Sequence, residues 1–162
     1  MTDETENISR ALEWIVTLLN RHRIPYQAVG GLAAQAYGAQ RPLVDIDLHI
    51  PLEQAGVALE EMQPSIVRQP APHQSASWNL VYLALEYQGV WIEIGDSGSE
   101  PRFFNGRDQR WELQSIDYRA SQIVQLYGVK VAVMPKAELL SYKRMLNREV
   151  DHLDIEEITP AT

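Results

Sequence analysis

The chain has 162 residues, 45% hydrophobic and 22% charged, which suits a soluble globular protein with a core of its own. A net charge of −8 argues against a protein that grips nucleic acid through its phosphates, where a basic face is expected. Zero cysteines exclude disulfides and thiolate metal sites, and no apolar run approaches the roughly 20 residues of a membrane span. The acidic start, Met1 to Glu6, lacks the basic-then-apolar order of a signal peptide, so a cytoplasmic location is expected.

Residues Ile8 to Asn20 carry Ile8, Leu12, Ile15 and Leu19 at helical spacing, which predicts an amphipathic helix. Asp3 with Glu6 reads as its capping pair, and Arg21-His22-Arg23 suits its C-terminal end. Pro25 to Val29 reads as extended, Gly30-Gly31 as a tight turn, and Leu32 to Tyr37 as a short helix ended by Gly38. Arg41 lies in the loop before the next strand, Val44 to Ile50. There Val44, Ile46, Leu48 and Ile50 alternate with Asp45, Asp47 and His49. Strands are poor in aspartate, so two on one face need a reason. About 6–7 Å apart, they can converge on one cation, and their oxygens suit magnesium. The glycine turn and the helix start behind it offer backbone N–H groups to a phosphate.

Leu52 to Met62 is expected as a helix packed by Val57, Leu59 and Met62, and Ser65 to His73, with Pro70 and Pro72, as a short extended piece and a loop. Trp78 to Tyr87 and Val90 to Gly95 form a hairpin around Gln88-Gly89. A two-residue turn pairs Tyr87 with Val90, Leu85 with Ile92 and Leu83 with Ile94 on one face. Glu86 with Trp91, and Ala84 with Glu93, then share the other. Ser97 to Arg110 reads as the loosest stretch. Trp111 to Ile116 is expected as a strand, Ala120 to Tyr127 as a helix and Val129 to Val133 as a buried strand. Pro135 opens a last helical region packed by Leu139, Leu140, Tyr142, Met145 and Leu146. The whole is expected to be one domain, residues 1–162, with a core at about 22–133 and C-terminal helices at about 135–158.

The pattern Gly30-Gly31-x-Ala33, then Arg41, then Asp45-Ile46-Asp47, with thirteen residues between Gly31 and Asp45, resembles the nucleotidyltransferase superfamily related to DNA polymerase beta. Within it the pattern is most similar to small bacterial antibiotic and minimal nucleotidyltransferases. The resemblance implies an α+β fold, a mixed sheet with flanking helices and a short C-terminal helical segment. It implies a third carboxylate on a neighbouring strand, for which Glu93 is the candidate, with Asp96 and Glu86 as fallbacks. An aspartate is the usual residue there. Asp45, Asp47 and Glu93 would then be the catalytic and metal-binding set for Mg2+, two ions about 3.5–4 Å apart in such chemistry.

Gly30, Gly31, Arg41 and Lys143 are the expected contacts to a nucleoside triphosphate, ATP first. For Arg41 the alternatives are an ion pair with an acidic neighbour or a contact to the triphosphate. The run Lys143-Arg144-x3-Arg148-x2-Asp151-x2-Asp154 resembles the family's tail; Arg148, Asp151 and Asp154 are read as braces between helices. His49 is expected as a wall of the cleft. The implied activity moves a nucleoside monophosphate from an NTP to a hydroxyl on a small molecule or a partner protein. The alternatives are a nucleotide-binding or antitoxin-like interaction module with little or no turnover, and a purely structural interaction protein. The small size leaves room for a homodimer sharing the cleft, and neither nucleic acid nor membrane is expected as a partner.

Overall fold

The computed structural model describes residues 2–159, and among them nine strands form one mixed sheet with five α-helices. The first helix, α1 (Asp3–Arg21), starts five residues before the expected boundary because Thr2 caps it. The Thr2 hydroxyl accepts from the Thr5 N–H at 3.1 Å, so the Asp3–Glu6 pair is not the cap. Asp3, Glu4 and Glu6 instead line its first turn, where they complement the helix dipole. Its apolar stripe, including Ile8, Leu12, Ile15 and Leu19, belongs to the main hydrophobic cluster.

The sheet is centred on β2 (Ile46–Ile50), with β1 (Gln27–Val29) antiparallel on one side. The strand after the next hairpin turn, β5 (Val90–Asp96), runs parallel to β2 on the other side. Ile46, Leu48 and Ile50 are fully buried on the face that meets Ile92 and Ile94 of β5. Val44 stands before the strand and is 84% exposed, so the alternation begins one apolar residue later than expected. The strand β4 (Trp78–Tyr87) pairs with β5 in the expected register, Tyr87 to Val90 through Ala84 to Glu93. Gln88 and Gly89 both have positive φ, 49° and 82°, as a two-residue turn matching strand twist requires.

Several expected loops are ordered strands. Residues 66–74 form β3 (Ile66–Gln74), an edge strand against β4 with register shifts around Arg68 and Ala71. Prolines lack the ladder donor, and an edge with irregular pairing tolerates them. Residues 97–110 contain half of a hairpin, β6 (Arg102–Asn105) and β7 (Arg110–Leu113). Asn105 builds the turn: its Oδ1 accepts from the Arg107 and Asp108 N–H groups at 3.0 and 2.9 Å. The expected helix at 120–127 is instead β8 (Gln122–Leu126), paired with β9 (Val129–Val133). Tyr127 and Gly128 form the same kind of turn as Gln88-Gly89, with φ of 51° and 78°.

Residues 52–62 divide into a 3-10 turn and a short helix, α3 (Gly56–Met62), that buries Ala58 and Met62 while Val57 faces solvent. The remaining helices are α2 (Gly30–Ala36), α4 (Lys136–Leu146) and α5 (Glu149–Ile158). α1 packs against β5 and β9, whereas α4 packs against β6 and α5. Among the described residues no helix is long and apolar enough to cross a membrane.

Candidate active site

Parallel pairing sets Asp47 of β2 directly beside Glu93 of β5. Asp45, two residues before Asp47 and just ahead of the strand, falls on the same face. One oxygen of each of these three carboxylates lies within 4.8 Å of the others. Trp91, next along the polar face of β5, donates its indole N–H to Glu93 Oε1 at 3.2 Å and steadies that side chain. Neither fallback joins the group. Asp96 Oδ1 instead accepts from the Leu52 and Gly98 N–H groups, and Glu86 stands opposite Trp91.

Burial first, then the negative charges of Asp45 and Glu93, push the Asp47 carboxyl well above the usual carboxylate range. A donor set of three converging carboxylate oxygens fits a hard divalent cation, which would relieve that repulsion.

Gly30 makes the convergence sterically feasible. Its φ is +61°, and a Cβ there would come within 2.6 Å of Asp47 Oδ2. Gly30→Ala is expected to destabilise the fold by about 1–2 kcal/mol through the left-handed backbone. Displacing Asp47 should also weaken divalent-cation binding by about 10–100-fold. Thermal melts and a magnesium titration test both effects; wild-type cation affinity in a folded variant would show that the Asp47 position is not critical.

The three carboxylates stand at one side of a cleft of about 380 Å3. Arg41, Lys143 and Arg148 line it as well. All three cations are tied to two fully buried aspartates of α5, Asp151 and Asp154. Arg41 forks onto Asp154 with contacts of 2.8 and 3.0 Å. Buried Lys143 reaches Asp154 at 2.8 Å and Asp151 at 3.5 Å, and Arg148 forks onto Asp151 at 2.7 and 3.0 Å. Lys143 therefore braces α4 to α5 through Asp151 and Asp154, and Arg41 extends the brace to the loop before β2. Arg148 departs from the expected brace: it caps α5 and pairs with Asp151 within that helix's first turn. Three cations against two carboxylates leave this wall with a net positive charge.

His49 lines the cleft beside Gly95, buried, with Nδ1 lacking a protein partner. Burial lowers its pKa from 6.5 to about 4, against an opposing pull from Asp96. The unfolded chain therefore takes up a proton between pH 6.5 and about 4 that the folded protein refuses, so this contribution falls as pH drops through that window. Urea unfolding at pH 7 and pH 5 should show His49→Leu spared about 2 kcal/mol of the loss seen in wild type. Equal losses in the two proteins would mean that His49 titrates normally.

Sequence reasoning passed over Trp78, Tyr82, Gln114 and Tyr142 as cleft residues. For the first two the signal was present: counting back by twos from Ala84, opposite Glu93, reaches Tyr82 and Trp78 on the same face. Gln114 and Tyr142 arrive from distant segments, and no local pattern marks them.

The fold has solved counterparts. A Thermotoga maritima protein provisionally assigned as a nucleotidyltransferase matches with a TM-score of 0.64 at 19% identity, over 82% of this chain and 80% of its own. The lincosamide antibiotic adenylyltransferase LnuA, solved with lincomycin, gives 0.60 at 15% identity over 98% and 96%. The antibiotic-resistance factor ANT(2″)-Ia, in complex with adenylyl-2″-tobramycin, gives 0.55 at 14% identity over 93% and 86%. No family profile and no curated protein sequence matches the chain. The α+β nucleotidyltransferase fold is thus the architecture of this protein.

Proposed function

We propose that this protein of nucleotidyltransferase fold uses Mg2+ to transfer a nucleoside monophosphate from an NTP, with ATP the first candidate, to a hydroxyl group. The observation that carries the reading is the convergence of Asp45, Asp47 and Glu93 in a cleft whose wall is cationic. Fold counterparts named as adenylyltransferases of antibiotics support it. They make a small-molecule hydroxyl the first acceptor to try, ahead of one on a partner protein.

Asp45 and Asp47 would hold magnesium, with Glu93 completing the donor set or taking the acceptor's proton. When bound, magnesium supplies positive charge to the attacking and leaving oxygens. The acceptor oxygen forms a bond to the alpha-phosphorus as the bond to pyrophosphate breaks. Gly30 and Gly31, at the start of α2, would offer backbone N–H groups to the phosphates. Arg41 and Lys143, fixed by Asp154, direct positive charge at the departing pyrophosphate. Positioning and electrostatics are most of what such a transfer requires, so a small domain can suffice.

Titration calorimetry with a non-hydrolysable ATP analogue, with and without Mg2+, tests the reading on wild type and Asp45→Asn/Asp47→Asn. Magnesium-dependent binding lost in the variant is expected. No binding in wild type would leave the fold without this chemistry. Binding of ATP that is never consumed with any acceptor would favour the non-catalytic module.

A further inference from the structure

Resting on that reading, we infer that the acceptor carries an aromatic ring beside its reactive hydroxyl and is not a polyamine. Strand order decides which part of the cleft is free for it. From Gly30 on α2, the cleft crosses β2 and β5, where the carboxylates stand, and continues over β4. Trp78, Leu80 and Tyr82 share the β4 face with Ala84, the cross-strand partner of Glu93. That half of the cleft is floored by apolar and aromatic surface.

The rings are fixed before anything binds. The Trp78 indole donates to the Tyr142 hydroxyl, and the Arg148 guanidinium lies 4.7 Å from its ring centroid. Tyr82 carries the Arg68 guanidinium at 4.4 Å and the edge of His73 at 5.3 Å. A rigid aromatic floor holds a flat apolar group at low entropic cost.

Charge excludes the other class. The carboxylates that line the cleft are Asp45, Asp47 and Glu93, the same three that magnesium needs. Asp151 and Asp154 are fully buried and spent on Arg41, Lys143 and Arg148. A polyamine would meet Arg148 on the β4 side and find carboxylates only by competing with the metal. Gln114, which also lines the cleft, adds a neutral amide and no negative charge.

Calorimetry with two probes, 4-nitrophenyl glucoside and tobramycin, in magnesium and the non-hydrolysable ATP analogue, tests this. The glucoside should bind saturably, with Trp78→Ala or Tyr82→Ala weakening it at least about 10-fold. Tobramycin should give no saturable heat in wild type, and Gln114→Glu should improve its binding. Four results would overturn the inference: tobramycin binding tighter than the glucoside, neither probe binding, folded Trp78→Ala and Tyr82→Ala variants both binding the glucoside as wild type does, or displacement of the glucoside by the nucleotide. The last would assign the aromatic floor to the nucleobase. Repeating the glucoside titration without nucleotide separates this inference from the proposed transfer, because a failure of magnesium–nucleotide binding alone would leave the glucoside result intact.

Discussion

Asp47→Asn is expected to lower the proposed nucleotidyl transfer by on the order of 1000-fold or more, while making the metal-free protein more stable. The two effects have one cause. Asp47 is partly buried between Asp45 and Glu93, and its carboxyl is held well above its ordinary value, by burial first and like charges second. The folded protein therefore keeps a proton that the unfolded chain has released, so stability falls as pH rises from 3.8 through the raised folded value. The amide removes that penalty, worth about 1.4 kcal/mol for every tenfold difference in proton affinity between the folded and unfolded chain. In melting temperature each kcal/mol corresponds to about 2–4 °C at this chain length. The stability gap should widen from acid to neutral pH and close when magnesium is added to wild type. Magnesium competes with the same proton, so its affinity should be higher at pH 8 than at pH 5.5. A variant less stable than wild type at neutral pH, in metal-free buffer, would contradict the electrostatic account of the cluster.

Asp154→Ala is expected to cost about 3–5 kcal/mol, the largest stability loss in the cleft, because it leaves Lys143 buried with one longer contact. Asp154 is fully buried and binds Arg41 through both oxygens and Lys143 through one. Burial alone would raise its carboxyl, but hydrogen bonds from Arg41 and Lys143 and their charges outweigh it and hold it below 3.8. Its stabilisation is thus complete above 3.8 and is lost as pH falls through the lower folded value. The deficit of the variant should accordingly be constant from pH 6 to pH 8. The melting temperature should drop by roughly 10 °C. The brace also sets Arg41 and Lys143 in the cleft, so KM for the nucleotide should rise more than kcat falls. A variant with wild-type melting and KM would show that Arg41 and Lys143 hold their places without the aspartate.

Local patterns made the centre of this molecule legible. Period-two alternation fixed the inward face of β2, and the Gln88-Gly89 turn fixed the pairing of β4 with β5 down to Ala84 beside Glu93. Those signals are strong because a one-residue slip would expose Ile92 and Ile94. Elsewhere the local signal was ambiguous. Gln122 to Leu126 has the polarity of a short helix, yet it is an edge strand because Tyr127-Gly128 turns the chain back onto Val129 to Val133. Phe103 and Phe104 read as parts of a loose loop, until Asn105 closed a turn and Phe103 packed edge-on against Tyr142 at 4.8 Å.

By itself, then, the sequence determined the two aspartates on one face, the glycine pair behind them (which opens α2 where a turn was expected), and the hairpin register that offers Glu93. Each is set by backbone periodicity or turn chemistry within a short window. Only the tertiary structure decided that β5 lies parallel to β2, setting Glu93 beside Asp47, since parallel partners are joined by long connections that carry no pairing signal. It also decided that Arg41 meets Asp154, 113 residues away, and that Tyr142 meets Trp78, 64 residues away. Burial removes those charges and polar groups from water and forces each to find a partner, and which partner depends on how the helices pack over the sheet.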